Sequence, residues 1–317
     1  MRKTALLCLT LFLVSSATYA QTAAPANSLP FALKPLGSNV YAAIANPKSN
    51  AGSNSGFIIG DDGVIVVDTF VTADAAKALL AEIQKLTKLP IKFVVNTHYH
   101  LDHVAGNGVF AETGAVIIGH KNLRGWIHTE NLKFFGPTPK PEQKSMVESL
   151  FAPNLTYDSG LELFVGSKPV LVRYYPGHTG GDSVIFAPDA QVIFTGDLFW
   201  RKTLPNLIDG TTDKWAETDA KLAAGWPNAK FVSGHGDVGT AEDVKDFEGY
   251  VTDLRAAVAQ GIKNGLAGDA LVNAVTLQIQ QKYGKWDAYD YFIQRNIADT
   301  EKELRGQKQI PKPAEPQ

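Results

Sequence analysis

Through most of the chain, apolar residues come in short continuous runs between turn residues; toward its end they recur every three to four positions. Residues 56–59 and Val64–Val67 are apolar runs split by Asp61-Asp62-Gly63, a pattern that predicts a β-hairpin. The second run ends on Asp68. Ala73–Leu86 carries Ala, Leu and Ile at helical spacing, and Pro90 follows as a stop, which predicts a helix. Residues 91–96 and 115–119 then read as strands. Residues 121–153 break this rhythm: they are irregular, bear aromatics and centre on Gly136-Pro137-Thr138-Pro139-Lys140-Pro141. We read them as an insertion with some helix and not as a domain boundary.

Strand signals resume at 170–175, 184–187 and 192–195, a helix is predicted over 213–225, and a strand over 230–233 runs into Gly234-His235-Gly236. Val244, Phe247, Val251, Leu254 and Val258 then fall on one helical face, with Thr240 and Asp243 as a capping pair. Further helices are predicted over Gly268–Tyr283 and 287–304. The Pro-, Lys- and Gln-rich residues 306–317 read as a disordered tail. The expected organisation is one domain over 21–305, with the insertion at 121–153 and a helical extension over 241–305.

Composition bears on location and partners. Arg2-Lys3, an apolar run from Ala5 to Val14 and small residues ending at Ala20 have the order of a secretory signal peptide, residues 1–20, cut before Gln21. The run is too short for a bilayer core of roughly 30 Å, which needs about 20 apolar residues. No stable membrane anchor is expected after cleavage, and the expected location is the periplasm or the medium. The only cysteine, Cys8, falls in the removed segment, so neither a disulfide nor a thiolate ligand is available to the mature chain. Formal net charge is −2 and apolar residues make up 44%. A substantial core and a small-molecule substrate fit this balance; a nucleic-acid partner does not, because no basic stripe is present. Oligomeric state is not legible.

The densest chemical signal is residues 97–103, Thr-His-Tyr-His-Leu-Asp-His, which hold three of the seven histidines of the chain. His98, His100, Asp102 and His103 leave a strand at a turn, and imidazole with carboxylate suits a borderline divalent cation such as zinc. Three further candidates follow strands: His178 after Pro176-Gly177, Asp197 after Thr195-Gly196 and His235 after Ser233-Gly234. Each has glycine immediately before it, which lets the chain turn off the strand. Taken singly, each would pass for an ordinary turn residue.

In this order, the residues resemble the metallo-β-lactamase-fold hydrolase superfamily from about Gly37 to His235. The resemblance implies an α/β fold, an αββα four-layer sandwich of two mixed β-sheets flanked by helices, here with C-terminal helices added. It implies two zinc ions per chain: His98, His100 and His178 on the first, Asp102, His103 and His235 on the second, and Asp197 bridging both. Asp68 would support the metal turn from behind. The implied chemistry is attack by a metal-bridging hydroxide on an amide, ester or lactone bond, β-lactams included, with Asp102 as the catalytic side chain. The bridging Asp197 looks more like glyoxalase II and lactone hydrolases than β-lactamases, yet Gly236-Asp237-Val238 departs from the glyoxalase II pattern. The segment from Asp197 to Gly210 also looks similar to secreted quinoprotein-associated zinc hydrolases.

Arg201 and Lys202 are candidates for pairing with an anionic substrate, and Trp126, Phe134 and Phe135 for an apolar lid. His120 and His128 fit no ligand spacing and are left out of the site. Two other readings use the same residues: a mononuclear iron persulfide dioxygenase with His98, His178 and Asp197 as its triad, and a non-catalytic zinc-binding protein on the same fold.

Overall fold

The structure, a computed structural model, describes residues 28–312; the expected signal peptide lies outside them. Two β-sheets are stacked face to face. The first has seven strands in chain order: β1 (Phe31–Gly37), β2 (Val40–Ala45), β3 (Ser55–Ile59), β4 (Val64–Val67), β5 (Ile91–Val95), β6 (Val116–His120) and β7 (Leu155–Tyr157). Pairing is antiparallel from β1 to β4 and parallel from β4 to β7. The second has five: β8 (Gly160–Val165), β9 (Lys168–Tyr174), β10 (Ser183–Ala187), β11 (Val192–Trp200) and β12 (Lys230–His235), antiparallel except for the β11–β12 pair.

Helices cover both outer faces. Helix α1 (Ala73–Leu86) packs on the first sheet together with α3 (Asn107–Ala111), while the one-turn α2 (Leu101–Val104) lies within the histidine-rich turn. The insertion forms α4 (Lys121–Trp126), a 3-10 turn at Glu130–Phe135 and α5 (Pro141–Glu148). The second sheet is covered by α6 (Thr212–Gly225) and α7 (Ala241–Lys263), with α8 (Gly268–Tyr283) and α9 (Tyr289–Leu304) beyond them. The result is the expected four-layer α/β/β/α sandwich. Between the sheets, Val40, Ile58, Ile65, Val67 and Val95 face Val170, Val172, Ile185, Phe194 and Val232 in one cluster. All four residues of β4 are buried, as expected of a central strand covered on both faces, which reads as an unbroken apolar run.

The hairpin across residues 61–63, the helix over 73–86 and the Thr240–Asp243 capping box are present. Strands β1, β2, β7 and β8 carry no clear sequence signal. β1 reads Phe-Ala-Leu-Lys-Pro-Leu-Gly and lies at a sheet edge, where a proline can sit without breaking a ladder bond. β11 runs five residues past Thr195 to Trp200 because it continues along β12 through two register shifts. Residues 306–312, read from composition as disordered, carry no regular structure but lie against the body. Lys308 Nζ donates to the carbonyls of Leu207 and Gly210, and the Lys312 carbonyl accepts from Trp126 Nε1. A lysine tail can be held in this way when backbone carbonyls of a loop are free to receive it.

Candidate metal centre

The site lies at the edge of the sandwich where β4, β5, β11 and β12 end. Residues 97–103 leave β5, Asp197 sits within β11, His235 ends β12, and His178 lies on the turn between β9 and β10. The structure brings all seven sequence-derived candidates together in two groups: His98, His100, His178 and Asp197 in one, Asp102, His103 and His235 in the other.

Asp197 joins the groups, its two oxygens facing opposite ways. Oδ2 lies 3.3 Å from His178 Nε2 and 3.7 Å from His98 Nε2. Oδ1 lies 3.0 Å from His103 Nε2 and 3.5 Å from His235 Nε2. Asp102 Oδ2 is 3.2 Å from His235 Nε2, and His100 Nδ1 is 3.0 Å from His178 Nε2. Buried nitrogens that have no hydrogen-bond partner in the protein converge here: His98 Nε2, His103 Nε2 and His235 Nε2. Buried polar atoms without partners are costly, and a cation between them would satisfy the set. Imidazole nitrogens and carboxylate oxygens fit zinc.

The other nitrogen of each histidine in the turn is already engaged, which fixes the ring. His98 Nδ1 meets Thr97 Oγ1 at 3.0 Å, and His103 Nδ1 meets Asp68 Oδ2 at 2.7 Å. Asp68 also accepts from the Thr97 amide and hydroxyl, both at 2.7 Å, so one carboxylate holds the turn and a candidate ligand together. Its backbone is left-handed, with φ 56°, a conformation Asp tolerates better than most residues.

His100 has a partner that sequence reasoning missed. Its Nε2 lies 3.0 Å from Asp209 Oδ2. Buried Asp209, in the loop before α6, also accepts from the Tyr99 hydroxyl and from Lys133 Nζ of the insertion. Burial alone would raise the Asp209 pKa, but His100 and Lys133 hold it below the usual carboxylate range.

Electrostatics divide the histidines. Burial, with His103 beside it, drives the His98 pKa well down, and burial takes His178 down to about 3, so both are neutral and ready to donate a lone pair. Burial also disfavours charge on His103 and His235, yet Asp197 and Asp102 outweigh it: His103 is held well above its usual value and His235 is pushed up to about 9. Burial opposes ionisation of Asp197 and Asp102 too, but the surrounding histidines hold Asp197 well below the carboxylate range and Asp102 down to about 2. Without a cation, protons on His103 and His235 balance the carboxylates; metal binding would displace them.

Two glycines owe their place to close approach. A Cβ on Gly234 would lie 1.9 Å from Asp197 Oδ1, and one on Gly196, with φ 52°, would lie 2.4 Å from Thr97 Oγ1. Asn54 fixes the neighbouring turn: its amide donates to the Ser233 and Gly236 carbonyls at 2.8 Å each. Trp200 stacks on His235 with ring centroids 3.9 Å apart. Neither Asn54 nor Trp200 had a sequence signal, since their partners come from β12.

A cavity of about 430 Å³ opens on the cluster, lined by His100, Asp102, Asp197 and His235 and by a wall that includes Phe134, Trp200 and Phe292. Phe134 is on this wall, edge-on to His100 with ring centroids 4.9 Å apart. The other candidates for substrate contact do not line it. Trp126 is buried in the insertion's own cluster with Tyr99 and Leu123, and Phe135 packs against that cluster. Arg201 turns to Asp243 on α7 at 3.3 Å, and Lys202 to Asp246 at 2.5 Å; the acidic face of α7 captures both cations outside the cavity. His120 stacks on Tyr174 and His128 bonds the Val147 carbonyl, both away from the cluster as expected.

Comparison with known proteins adds to this geometry. The family described as the metallo-beta-lactamase superfamily matches residues 50–246. A linear primary-alkylsulfatase of Pseudomonas sp. (strain ATCC 19151) is 26% identical over 256 residues, 68% of this chain and 48% of its own length. A hydroxyacylglutathione hydrolase of Brucella anthropi is 30% identical over 174 residues, 54% of this chain and 56% of its own. The chain thus spans about half the length of the curated relatives it matches. Among solved structures, a metallo-β-lactamase from Pontibacter korlensis superposes with TM-score 0.56 at 19% identity, covering 70% of this chain and 99% of that one. A double mutant of the sec-alkyl sulfatase PisA1 superposes with TM-score 0.68 at 17% identity, covering 87% of this chain and 50% of that one. At these identities the superpositions speak to fold alone.

Proposed function

The chain belongs to the metallo-β-lactamase superfamily, and from that premise we propose that it is a hydrolase that uses two zinc ions to cleave an amide, ester or lactone bond. One observation carries the reading: the two oxygens of Asp197 face two separate groups of ligand-type side chains. Two divalent cations so held would supply an ionised water at neutral pH and polarise the oxygen of the scissile group.

The side chains divide the remaining work. Asp68 and Asp209 orient His103 and His100 from behind. Asp102 borders the cavity, where its carboxylate can orient an attacking water by accepting a hydrogen bond from it. Trp200 covers the His235 ring and keeps bulk water off that face. The relatives named as alkylsulfatase and hydroxyacylglutathione hydrolase support hydrolysis. Export to the periplasm or medium is part of the proposal and rests on residues 1–20. A mononuclear iron reading leaves Asp102, His103 and His235 without a purpose, and a full set of ligand-type side chains weighs against a non-catalytic reading, because a site that has lost its chemistry usually loses some of them.

The test is a panel of esters, lactones, thioesters, sulfate esters and β-lactams offered to zinc-loaded protein. Hydrolysis that a chelator abolishes and zinc restores is the expected result. Oxygen uptake on a persulfide by protein holding one iron would replace this reading with the dioxygenase, and zinc-loaded protein with no turnover would leave the non-catalytic one.

A further inference from the structure

The geometry points to a substrate whose body, beyond the group that is cleaved, is apolar and uncharged. This rests on the hydrolase reading only for the bond that is cut; the body is argued from the cavity. Beside the ligand cluster, its wall is built by Val71, Leu101, Phe134, Trp200, Ala288 and Phe292. Two polar side chains interrupt it, and both are uncharged: Thr203 Oγ1 donates to the Arg201 carbonyl, and Asn206 accepts from the Ile208 amide through Oδ1.

Among the described residues no lysine or arginine lines the cavity, and the cations on its bordering segments are committed elsewhere. Lys133 is bound to Asp209, Arg201 to Asp243 and Lys202 to Asp246. Lys308 is held by the carbonyls of Leu207 and Gly210, and Arg295 lies over the Tyr291 ring. A carboxylate carried on the substrate's body would lose its hydration against this wall and gain no cationic partner, which is costly. Aliphatic or aromatic surface would be buried with gain. The cavity therefore favours esters of simple apolar alcohols or acids and discriminates against substrates with a second anionic group.

The test is a series of nitrophenyl esters with acyl chains from acetyl to octanoyl, each longer member paired with its ω-carboxylate counterpart, on zinc-loaded protein. The expected result is a rise in kcat/KM of about threefold to fourfold per methylene until the cavity is filled, with ω-carboxylates at least about tenfold poorer than their neutral pairs. Phe134→Arg, which sets a cation at the rim, should narrow that gap. Rates flat with chain length, or ω-carboxylates turned over equally well, would overturn the proposal. If no ester is hydrolysed, the hydrolase reading suffers but the cavity is still tested. Calorimetric binding of straight-chain alcohols to the same protein should tighten with length by a similar factor, and affinity that does not change with length would refute it.

Discussion

Replacing Asp209 by asparagine is a sharp probe of the site because Asp209 touches one group of candidate ligands and not the other. Its carboxylate accepts from His100 Nε2 at 3.0 Å, from the Tyr99 hydroxyl and from Lys133 Nζ. Asparagine keeps the shape and one acceptor oxygen but removes the charge that orients His100 and sets its tautomer. Loss of such an outer partner typically costs about 10- to 100-fold in metal affinity, or roughly 1.4 to 2.8 kcal/mol. Burial of Tyr99 and Asp209 adds a folding penalty of about 1 to 3 kcal/mol if the hydroxyl finds no acceptor. Lys133 is more exposed than either and adds little. Zinc binding followed by competition with a chromophoric chelator should resolve two steps, with the step assigned to His98, His100 and His178 weakened by that factor and the other unchanged. Asp68→Asn should do the reverse through His103, with a larger loss of stability because Asp68 also holds Thr97. If Asp209→Asn binds both ions as the parent does, the claim that Asp209 positions His100 is wrong.

Three more outcomes follow from packing and charge. Gly234→Ala should fail to hold metal and lose at least about 1 to 3 kcal/mol of stability, read by denaturant unfolding and metal content, because the added Cβ falls 1.9 Å from Asp197 Oδ1; a fully loaded variant would contradict the placement of β12. Lys308→Ala should lower stability by about 1.5 to 3 kcal/mol through lost bonds to the Leu207 and Gly210 carbonyls and slightly weaken the first metal step, since that loop carries Asp209; an unchanged unfolding curve would deny residues 306–312 their role. Arg201→Ala should change kcat/KM little and stability by no more than about 1 kcal/mol, and a loss of turnover above tenfold would restore Arg201 to the substrate site.

The parts of the site legible in sequence share a local signal: each candidate ligand leaves a strand, and His178, Asp197 and His235 each follow a glycine. Spacing within residues 97–103 did the rest. Asp209 carried no such signal. Its partners Tyr99, His100 and Lys133 lie 110, 109 and 76 residues away, and Asp209 itself reads as an ordinary loop aspartate before glycine. Arg201 and Lys202 misled for the opposite reason: adjacency to Asp197 in sequence suggested adjacency to substrate, but β11 ends at Trp200, and the chain then turns both side chains to α7. Trp126 and Phe134 looked alike in the insertion; only packing separated a core residue from a wall residue. The fold was legible where strands are buried on both faces, as in β4, and illegible where, as in β1, one edge is wet and proline is tolerated.

The central claim is that Asp197 joins two metal positions. Elemental analysis of the purified, zinc-equilibrated protein counts them directly: the account predicts two zinc ions per chain, falling to one or none in Asp197→Ala. A single ion per chain in the parent protein, under conditions where the fold is intact and zinc is in excess, would contradict it.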